Sequence, residues 1–181
     1  MKIAVYGSGG VGGYFGGRLA EAGHSVTFIA RGEHLRAIRE QGLRVESIKG
    51  DFHLQPADAT DDPARVGPVD TVLACVKSWQ VPKVAEMMRP MVGDDTCVVS
   101  LLNGVESVDQ LAAVLGRERV LGGVAKIFSF IGEPGVIRHI GHEPTLMLGE
   151  LDGSDSARLK RLVNALEESG IRVELPESIQ V

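Results

Sequence analysis

A glycine cluster dominates the amino-terminal part of the sequence, where positions 7–17 read GSGGVGGYFGG. A glycine inside a helix costs about 1 kcal/mol relative to alanine, so the cluster predicts a backbone that other groups approach closely. The apolar run at 2–7 predicts a strand before the cluster, and residues 12–22 predict a helix after it. Gly7, Gly9 and Gly12 therefore have the spacing G-x-G-x-x-G between a strand and a helix.

Each glycine of this pattern has a physical reason in a dinucleotide-binding site. Gly7 permits a tight turn, Gly9 lacks the Cβ that would block a pyrophosphate, and Gly12 lets the helix pack closely on the sheet. The helix also directs its free amides and positive dipole end at the phosphates. We therefore predict that the pyrophosphate is held by the loop Gly7, Ser8, Gly9, Gly10, Val11 and Gly12. The alternative is a glycine-rich turn without a ligand.

Length and composition limit the other possibilities. A chain of 181 residues, 44% of them hydrophobic, can bury about two thirds of its unfolded surface, which is enough for one domain. Its net charge of -5, without a long basic run, gives no indication of a nucleic acid or membrane partner. The first apolar run is too short for a signal peptide or a membrane span. Cys75 and Cys97 lie in apolar runs, which favours buried thiols and a cytoplasmic location.

The first two thirds of the chain alternate apolar runs with amphipathic ones. Strands are predicted at 25–30, 69–76 and 95–102, and helices at 32–42, 78–92 and 105–116. Gly42 should close the second helix, Ser78 is a candidate cap of the third, and Pro82 lies in its first turn. A β-hairpin with its turn at 49–51 interrupts the alternation. This pattern predicts a parallel sheet that is covered on both faces.

The last third has a different pattern. Residues 120–150 predict about three strands, joined by turns at Glu133-Pro134-Gly135 and at Glu143-Pro144. A helix at 154–169 and a strand at 171–175 follow. We predict an α/β fold of the Rossmann type, with a doubly wound and mostly parallel sheet and an antiparallel edge extension. The whole chain, 1–181, should form one dinucleotide-binding domain.

The end of the second strand bears on the choice of cofactor. Sites for NAD place a carboxylate about 20 residues beyond the glycines, whereas NADP sites offer a cation there. The strand ends here in Ala30 and Arg31, which predicts NADP with Arg31 on the 2′-phosphate. Two alternatives stay open: Arg31 is a solvated loop cation, or Glu33 reaches back to a ribose.

Two more polar residues follow predicted parallel strands. Lys77 and Asn103 should emerge at the same sheet edge as the glycine loop, where ligands bind in open parallel sheets. We assign them to the nicotinamide half of the site, although each alone is typical of an ordinary loop or turn. His139 and His142 lie close in sequence, but no cysteine or carboxylate cluster accompanies them, so no metal site is predicted.

Four segments together point to a family. The opening KIAVYGSGGVGGYFGGRLAEAGHSVTFIARG, followed by VKSWQ, LLNGVE and EPGVIRH, resembles the amino-terminal domain of ketopantoate reductase (2-dehydropantoate 2-reductase). The resemblance implies NADPH-dependent reduction of 2-dehydropantoate, a small 2-oxo acid, to pantoate in pantothenate and coenzyme A biosynthesis. By position it implies that loop 7–12 holds the pyrophosphate and Arg31 the 2′-phosphate. Lys77 and Asn103 would serve the nicotinamide ribose and the active-site end, and a backbone contact falls near Ser129.

The resemblance also implies a missing part. In the family the catalytic acid is a lysine on an early helix of a second, largely helical substrate domain. No lysine follows Lys160 here, so we expect that domain to be absent from this chain and the chain to be inactive alone, its catalytic residues unknown. Lys77 is the one internal candidate for a weak acid. Other hypotheses are a non-catalytic dinucleotide-binding module, or a reductase of a different 2-oxo acid. Whether the chain forms a homodimer is open.

Overall fold

One mixed sheet forms the centre of the computed structural model, which describes residues 1–102, 106–176 and 179. In chain order its ten strands within this part are β1 (Lys2–Tyr6), β2 (Ser25–Ile29), β3 (Leu43–Ser47), β4 (Phe52–Leu54), β5 (Asp58–Thr60), β6 (Val69–Ala74), β7 (Val92–Ser100), β8 (Val120–Glu133), β9 (Val136–Glu150) and β10 (Arg172–Glu174). The α-helices are α1 (Gly10–Glu21), α2 (Gly32–Gln41), α3 (Val81–Met88), α4 (Glu106–Leu115) and α5 (Ala157–Glu168).

The order of strands across the sheet is β4-β3-β9-β8-β7-β6-β1-β2-β5, and β10 pairs with β9. Neighbours from β5 to β8 are parallel, and β8 and β9 form a long antiparallel pair. β3 and β10 then pair in parallel with the two halves of β9. The predicted doubly wound parallel sheet with an antiparallel extension is therefore confirmed.

Alternate residues of the strands enter two hydrophobic cores, one on each face. Ile3 and Val5 of β1 pack in the core that holds α1, α2 and α5, whereas Ala4 and Tyr6 pack in the core of α3 and α4. This arrangement follows from strand geometry, since successive side chains point to opposite faces. Both faces of the parallel part are thus covered, as the unbroken apolar runs predict.

The carboxyl-terminal extension differs from the prediction in one respect. Two strands, β8 and β9, replace the expected three, because Glu143-Pro144 lies inside β9 rather than at a turn. The pairing runs from Thr145 opposite Lys126 to Ile140 opposite Phe128, so β9 carries extra residues at a bulge there. Proline lacks the N–H that a regular ladder needs, and a bulge tolerates it.

Other boundaries also differ. The predicted hairpin forms as β3 and β4, which is confirmed, and in the sheet it lies at the edge beside β9. β5, at the opposite edge, was not predicted. The third helix is α3, flanked by 3₁₀ turns at 78–80 and 89–91, and Ser78 lies in the first turn instead of capping a helix. Gly42 closes α2 with a φ of 85°, as predicted.

Cys97 is a buried free thiol, as predicted, whereas Cys75 is a free thiol that is only half-buried. Burial raises the pKa of the Cys75 thiol to about 12, which favours the neutral thiol at ordinary pH. Within the described residues, no helix has the length and apolar character to cross a membrane.

Candidate functional site

The glycine loop at 7–12 joins β1 to α1, as the G-x-G-x-x-G pattern requires. Gly7 has a φ of 99°, and a Cβ there would lie 2.7 Å from the carbonyl oxygen of Cys75, so both conformation and space exclude a side chain. A Cβ on Gly9, in contrast, would meet no protein atom within 4 Å. Gly9 therefore faces open space in front of the first turn of α1, where a ligand can approach the backbone.

The glycines further along α1 serve packing. A Cβ on Gly13 would lie 2.6 Å from Cγ1 of Ile137, and one on Gly16 would lie 2.5 Å from Cγ2 of Val5. Gly12 is also crowded, because a Cβ there would meet the carbonyl oxygen of Gly7 and lie 2.8 Å from Cγ1 of Val5. These contacts are tighter than a real Cβ allows, so the helix can lie this close to the sheet only without side chains. This close packing offsets the helix-propensity cost of the cluster.

Two sets of hydrogen bonds hold the loop at Ser8, one to β2 and one to His34. The Oγ of Ser8 donates to the carbonyl oxygen of Ile29 at 3.0 Å, and Ser8 is buried. The carbonyl oxygen of Ser8 lies 2.7 Å from Nε2 of His34, whose Nδ1 accepts the N–H of Gly135 at 3.0 Å. Sequence reasoning missed His34, because its role depends on a contact with Gly135, 101 positions away in the chain.

A cavity of about 360 Å³ opens beside the loop, at the carboxyl ends of β1 and β2. Arg31, at the amino end of α2, lines it and is exposed. Arg31 also lies close enough to Tyr6 to oppose the rise that burial causes in the pKa of that phenol. The structure thus places Arg31 where the sequence predicted a cation. Trp79 and Lys83 line the same cavity from the α3 side.

A carboxylate that the sequence analysis did not consider also lines this cavity. Asp61 directly follows β5, the unpredicted strand that pairs with β2. Its Oδ1 lies 3.4 Å from Nη2 of Arg39, so a cation already partners it. The only signal in the sequence would have been the strand itself, and three residues with a single apolar side chain do not reveal one.

Of the two residues predicted for the nicotinamide side, the structure describes Lys77. Lys77 is exposed just beyond β6, and its N–H donates to Oε1 of Gln80 at 3.2 Å. The structure therefore brings Lys77 to the same sheet edge as the loop. Asn103 lies outside the described residues. Ser129 of β8 lies against the loop, since a Cβ on Gly10 would meet its carbonyl group. The buried Oγ of Ser129 has no hydrogen-bond partner among the described residues.

His139, one of the two histidines that lie close in sequence, makes two hydrogen bonds and a ring contact. His139 is buried, its Nδ1 lies 2.8 Å from Oγ of Ser47, and its Nε2 lies 3.0 Å from the carbonyl oxygen of His142. The ring also packs on Tyr14 of α1, with 4.8 Å between centroids. Among residues 1–102, 106–176 and 179, no group of three or more His, Cys, Asp or Glu side chains could hold a metal ion.

This arrangement fits a dinucleotide. Gly9 leaves the front of the loop open, the amino end of α1 supplies free amides for phosphates, and the cavity beside it offers a cation at Arg31. Lys77 projects from the same edge on the other side of the loop, where a second half of the ligand would lie. An open loop, a helix amino end and a nearby cation are features that a dinucleotide site requires.

Comparisons with known proteins agree with this geometry. The family model described as ketopantoate reductase PanE/ApbA matches residues 3–153. The oxidoreductase YkpB of Bacillus subtilis is 34% identical over 175 residues, which cover 97% of this chain and 56% of YkpB. The crystal structure of 2-dehydropantoate 2-reductase from Porphyromonas gingivalis has a TM-score of 0.94 at 36% identity, over 99% of this chain and 65% of that one.

A further solved structure that resembles this chain is a ternary complex. D-mandelate dehydrogenase with NADH and anilino(oxo)acetate has a TM-score of 0.89 at 26% identity, over 99% of this chain and 58% of that one. The chain thus spans between 56% and 65% of the length of these three relatives.

Proposed function

Because the chain belongs to the ketopantoate reductase family, we propose that it forms the NADPH-binding domain of an oxidoreductase that reduces 2-dehydropantoate to pantoate. The observation that carries the proposal is the open space in front of Gly9, next to a cavity lined by Arg31. Residues 1–181 constitute this domain. The reaction belongs to pantothenate and coenzyme A biosynthesis, and the free thiols of Cys75 and Cys97 favour the cytoplasm as its location.

We assign the cofactor contacts by position. The backbone of loop 7–12 and the first turn of α1 would hold the pyrophosphate, with Gly9 facing it. Lys77 and Asn103 would serve the nicotinamide ribose, and the backbone of β8 at Ser129 would border the nicotinamide. Bound NADPH supplies the hydride for the keto carbon. The residues of this chain bind the cofactor, orient it and leave its reactive face toward the substrate.

The choice of NADPH over NADH depends on the charges around the cavity. Arg31 and Lys83 are two cations with access to it, and a bound phosphate forms charge-assisted hydrogen bonds with such groups. Asp61 is the competing observation, since a carboxylate at this place suits the 2′-hydroxyl of NADH. Its ion pair with Arg39 reduces the negative field that a 2′-phosphate would meet. We therefore infer a preference for NADPH.

A titration tests this preference. The chain should bind NADPH more tightly than NADH, and Arg31→Ala should weaken NADPH binding about 10- to 100-fold, because a charge-assisted hydrogen bond contributes about 1.5–3 kcal/mol. Arg36→Ala is the matched control: Arg36 is an exposed cation of the same helix, paired with Glu33 at 3.3 Å and not part of the cavity. Equal affinities for the two cofactors would refute the role of Arg31.

Catalysis requires more than a bound cofactor. A donor must hold the substrate carboxylate, and an acid must protonate the developing alkoxide. We propose that these groups belong to a second domain and that the 181-residue chain alone is inactive. The matched relatives are longer than this chain and therefore have room for such a domain. Lys77 is the candidate acid within this chain, at the correct edge of the sheet.

A different small 2-oxo acid is the second candidate substrate, and the similarity to D-mandelate dehydrogenase favours keeping it. Oxidation of NADPH should be followed with ketopantoate and with an aromatic 2-oxo acid. The assay should compare this chain with a longer version that carries a helical second domain of the length found in the relatives. Turnover of ketopantoate by the longer protein alone is the expected result. Efficient turnover by the short chain, lost in Lys77→Ala, would assign the acid to Lys77 and refute the two-domain proposal.

A further inference from the structure

His34 connects two segments that are far apart in sequence. It lies in the first turn of α2, and its ring is inserted between the glycine loop and the turn that joins β8 to β9. We propose that His34 is a pH-sensitive positioning residue of the dinucleotide site: its neutral ring fastens the glycine loop to the β8–β9 turn, and its protonation releases the loop and weakens dinucleotide binding. The proposal rests on the proposed cofactor function.

The hydrogen bonds determine the tautomer of the ring. The N–H of Gly135 points at Nδ1 of His34, so Nδ1 is the acceptor and carries no proton. Nε2 therefore carries the proton and donates it to the carbonyl oxygen of Ser8 at 2.7 Å. A second proton would have to bind at Nδ1, where it would face the N–H of Gly135. Protonation thus converts one of the two hydrogen bonds into a repulsive contact between donors.

The bond to Ser8 acts directly on the loop. Ser8 lies between Gly7 and Gly9, and its amide N–H and hydroxyl both point to the carbonyl oxygen of Ile29. These bonds tie the loop to β2, whereas His34 ties it to the β8–β9 turn. The same hairpin touches Gly10 through Ser129. Loss of the His34 bridge therefore leaves the loop bonded to β2 and in contact with β8 at Ser129, without a hydrogen bond to the β8–β9 turn, and the amides that face the phosphates lose part of their fixed orientation.

The surroundings of the ring favour the neutral form. Partial burial lowers the pKa of His34, and the hydrogen bond to the Ser8 carbonyl opposes this effect. The charged side chains of α2 are Glu33, Arg36, Arg39 and Glu40; three of these, Glu33, Arg36 and Glu40, line one pocket together with Glu133 of β8, while positions 7–12 carry no charge. The ring is therefore predominantly neutral at pH 7.5, and it takes up its second proton at a lower pH than an unperturbed histidine does.

Glutamine is the informative replacement. Its amide nitrogen can donate to the Ser8 carbonyl and its oxygen can accept the Gly135 N–H, so His34→Gln restores both bonds without a titrating group. His34→Ala removes both. The Kd for NADP⁺, which is stable in acid, is measured by calorimetry from pH 8 to pH 5 in the wild type and both variants. His53→Gln serves as the histidine control, because His53 is exposed and bonds the Gln41 carbonyl instead of the loop.

The expected result is a specific difference between the wild type and the glutamine variant. His34→Ala should bind about 2- to 10-fold more weakly than the wild type at pH 8, the effect of about one hydrogen bond. Between pH 8 and pH 5 the wild type should lose a further factor of the same size relative to His34→Gln. The 2′-phosphate of the ligand also titrates, near pH 6 for a phosphate monoester, but it does so equally with both proteins and cancels in their ratio.

A second readout does not depend on the ligand. The amide proton of Gly135 should shift in NMR spectra as His34 titrates, and this shift should be absent in His34→Gln. Parallel pH profiles for the wild type and His34→Gln would overturn the proposal. Tighter wild-type binding at low pH would also overturn it, because the ring would then act as a counter-ion to phosphate. Failure of the wild type to bind NADP⁺ at pH 8 would refute the proposed function, and with it this role of His34.

Discussion

Gly9 and Gly16 should respond in opposite ways to an added side chain, although they lie only seven positions apart. A Cβ on Gly9 meets no protein atom within 4 Å, whereas one on Gly16 would lie 2.5 Å from Cγ2 of Val5 and 2.9 Å from Cε1 of Phe28. We predict that Gly9→Val loses cofactor binding and keeps its stability. Gly16→Ala should lose stability and keep its binding.

The size of the stability effect at Gly16 follows from two opposing contributions. Alanine gains about 1 kcal/mol of helix propensity over glycine. Inserting a methyl group into a filled core costs about 1–3 kcal/mol. Val5 and Phe28 are 0% and 1% exposed and cannot move aside into solvent, so the cost belongs in the upper part of that range. The net destabilisation is up to about 2 kcal/mol, and each kcal/mol lowers the Tm of a domain of this size by about 2–4 °C.

The binding effect at Gly9 is larger. A valine side chain would occupy the space of the pyrophosphate, and loss of two charge-assisted hydrogen bonds at about 1.5 kcal/mol each weakens binding by about 100-fold or more. Thermal unfolding followed by circular dichroism and calorimetric titration with NADPH, on the same samples, separate the two effects. Normal binding by Gly9→Val, or an unchanged Tm for Gly16→Ala, would show that the division between ligand-facing and packing glycines is wrong.

Three further predictions concern other parts of the chain. Trp79, the single tryptophan, lines the cavity, so NADPH should change its fluorescence, and Trp79→Phe should abolish the signal. Burial lowers the pKa of His139 in the folded state. The free energy of unfolding should therefore be highest above about pH 6.5 and should fall as the pH drops toward the lower folded-state pKa. Urea unfolding at pH 7.5 and pH 5 should show a smaller loss of this free energy in His139→Gln than in the wild type. Arg158→Met should cost about 3–5 kcal/mol in urea unfolding because it leaves the buried Glu150 unpaired, and adding Glu150→Leu should recover most of it.

The parallel part of the fold could be predicted from the sequence because its signals are local. Apolar runs such as 69–76 are long enough to identify a buried strand, and Gly42 marks the end of α2 through its own backbone conformation. β5 could not be predicted in this way. Its three residues form a strand because the free edge of β2 pairs with them, from Thr27 opposite Asp58 to Ile29 opposite Thr60. That pairing is a property of the assembled sheet.

In the candidate site, too, residues with local sequence signals could be predicted and residues with distant partners could not. The places of loop 7–12 and Arg31 at the sheet edge could be predicted because each lies just beyond an apolar strand, whereas their contacts with a cofactor stay predictions. Asp61 was missed because β5 was missed, and His34 was missed because its partner Gly135 lies at the tip of a hairpin. Glu143-Pro144 gave a true signal of broken pairing, but the chain meets it with a bulge in β9 instead of a turn. A proline in the sequence indicates that regular strand pairing is interrupted, but it does not indicate whether the chain then turns or continues the strand past a bulge.

The position of the β8–β9 hairpin explains part of the G-x-G-x-x-G pattern without a ligand. A Cβ on Gly10 would lie 2.7 Å from the amide nitrogen of Phe130, so this glycine is required by β8 and not by a ligand. Gly13 and Gly16 are required by side chains of the sheet, Gly12 by the Gly7 carbonyl oxygen as well as by Val5, and Gly7 by its φ. Gly9 is thus the member of loop 7–12 whose missing Cβ is explained by neither protein contacts nor backbone conformation. In this chain a substitution elsewhere in the cluster tests the fold, and only a substitution at Gly9 tests the cofactor.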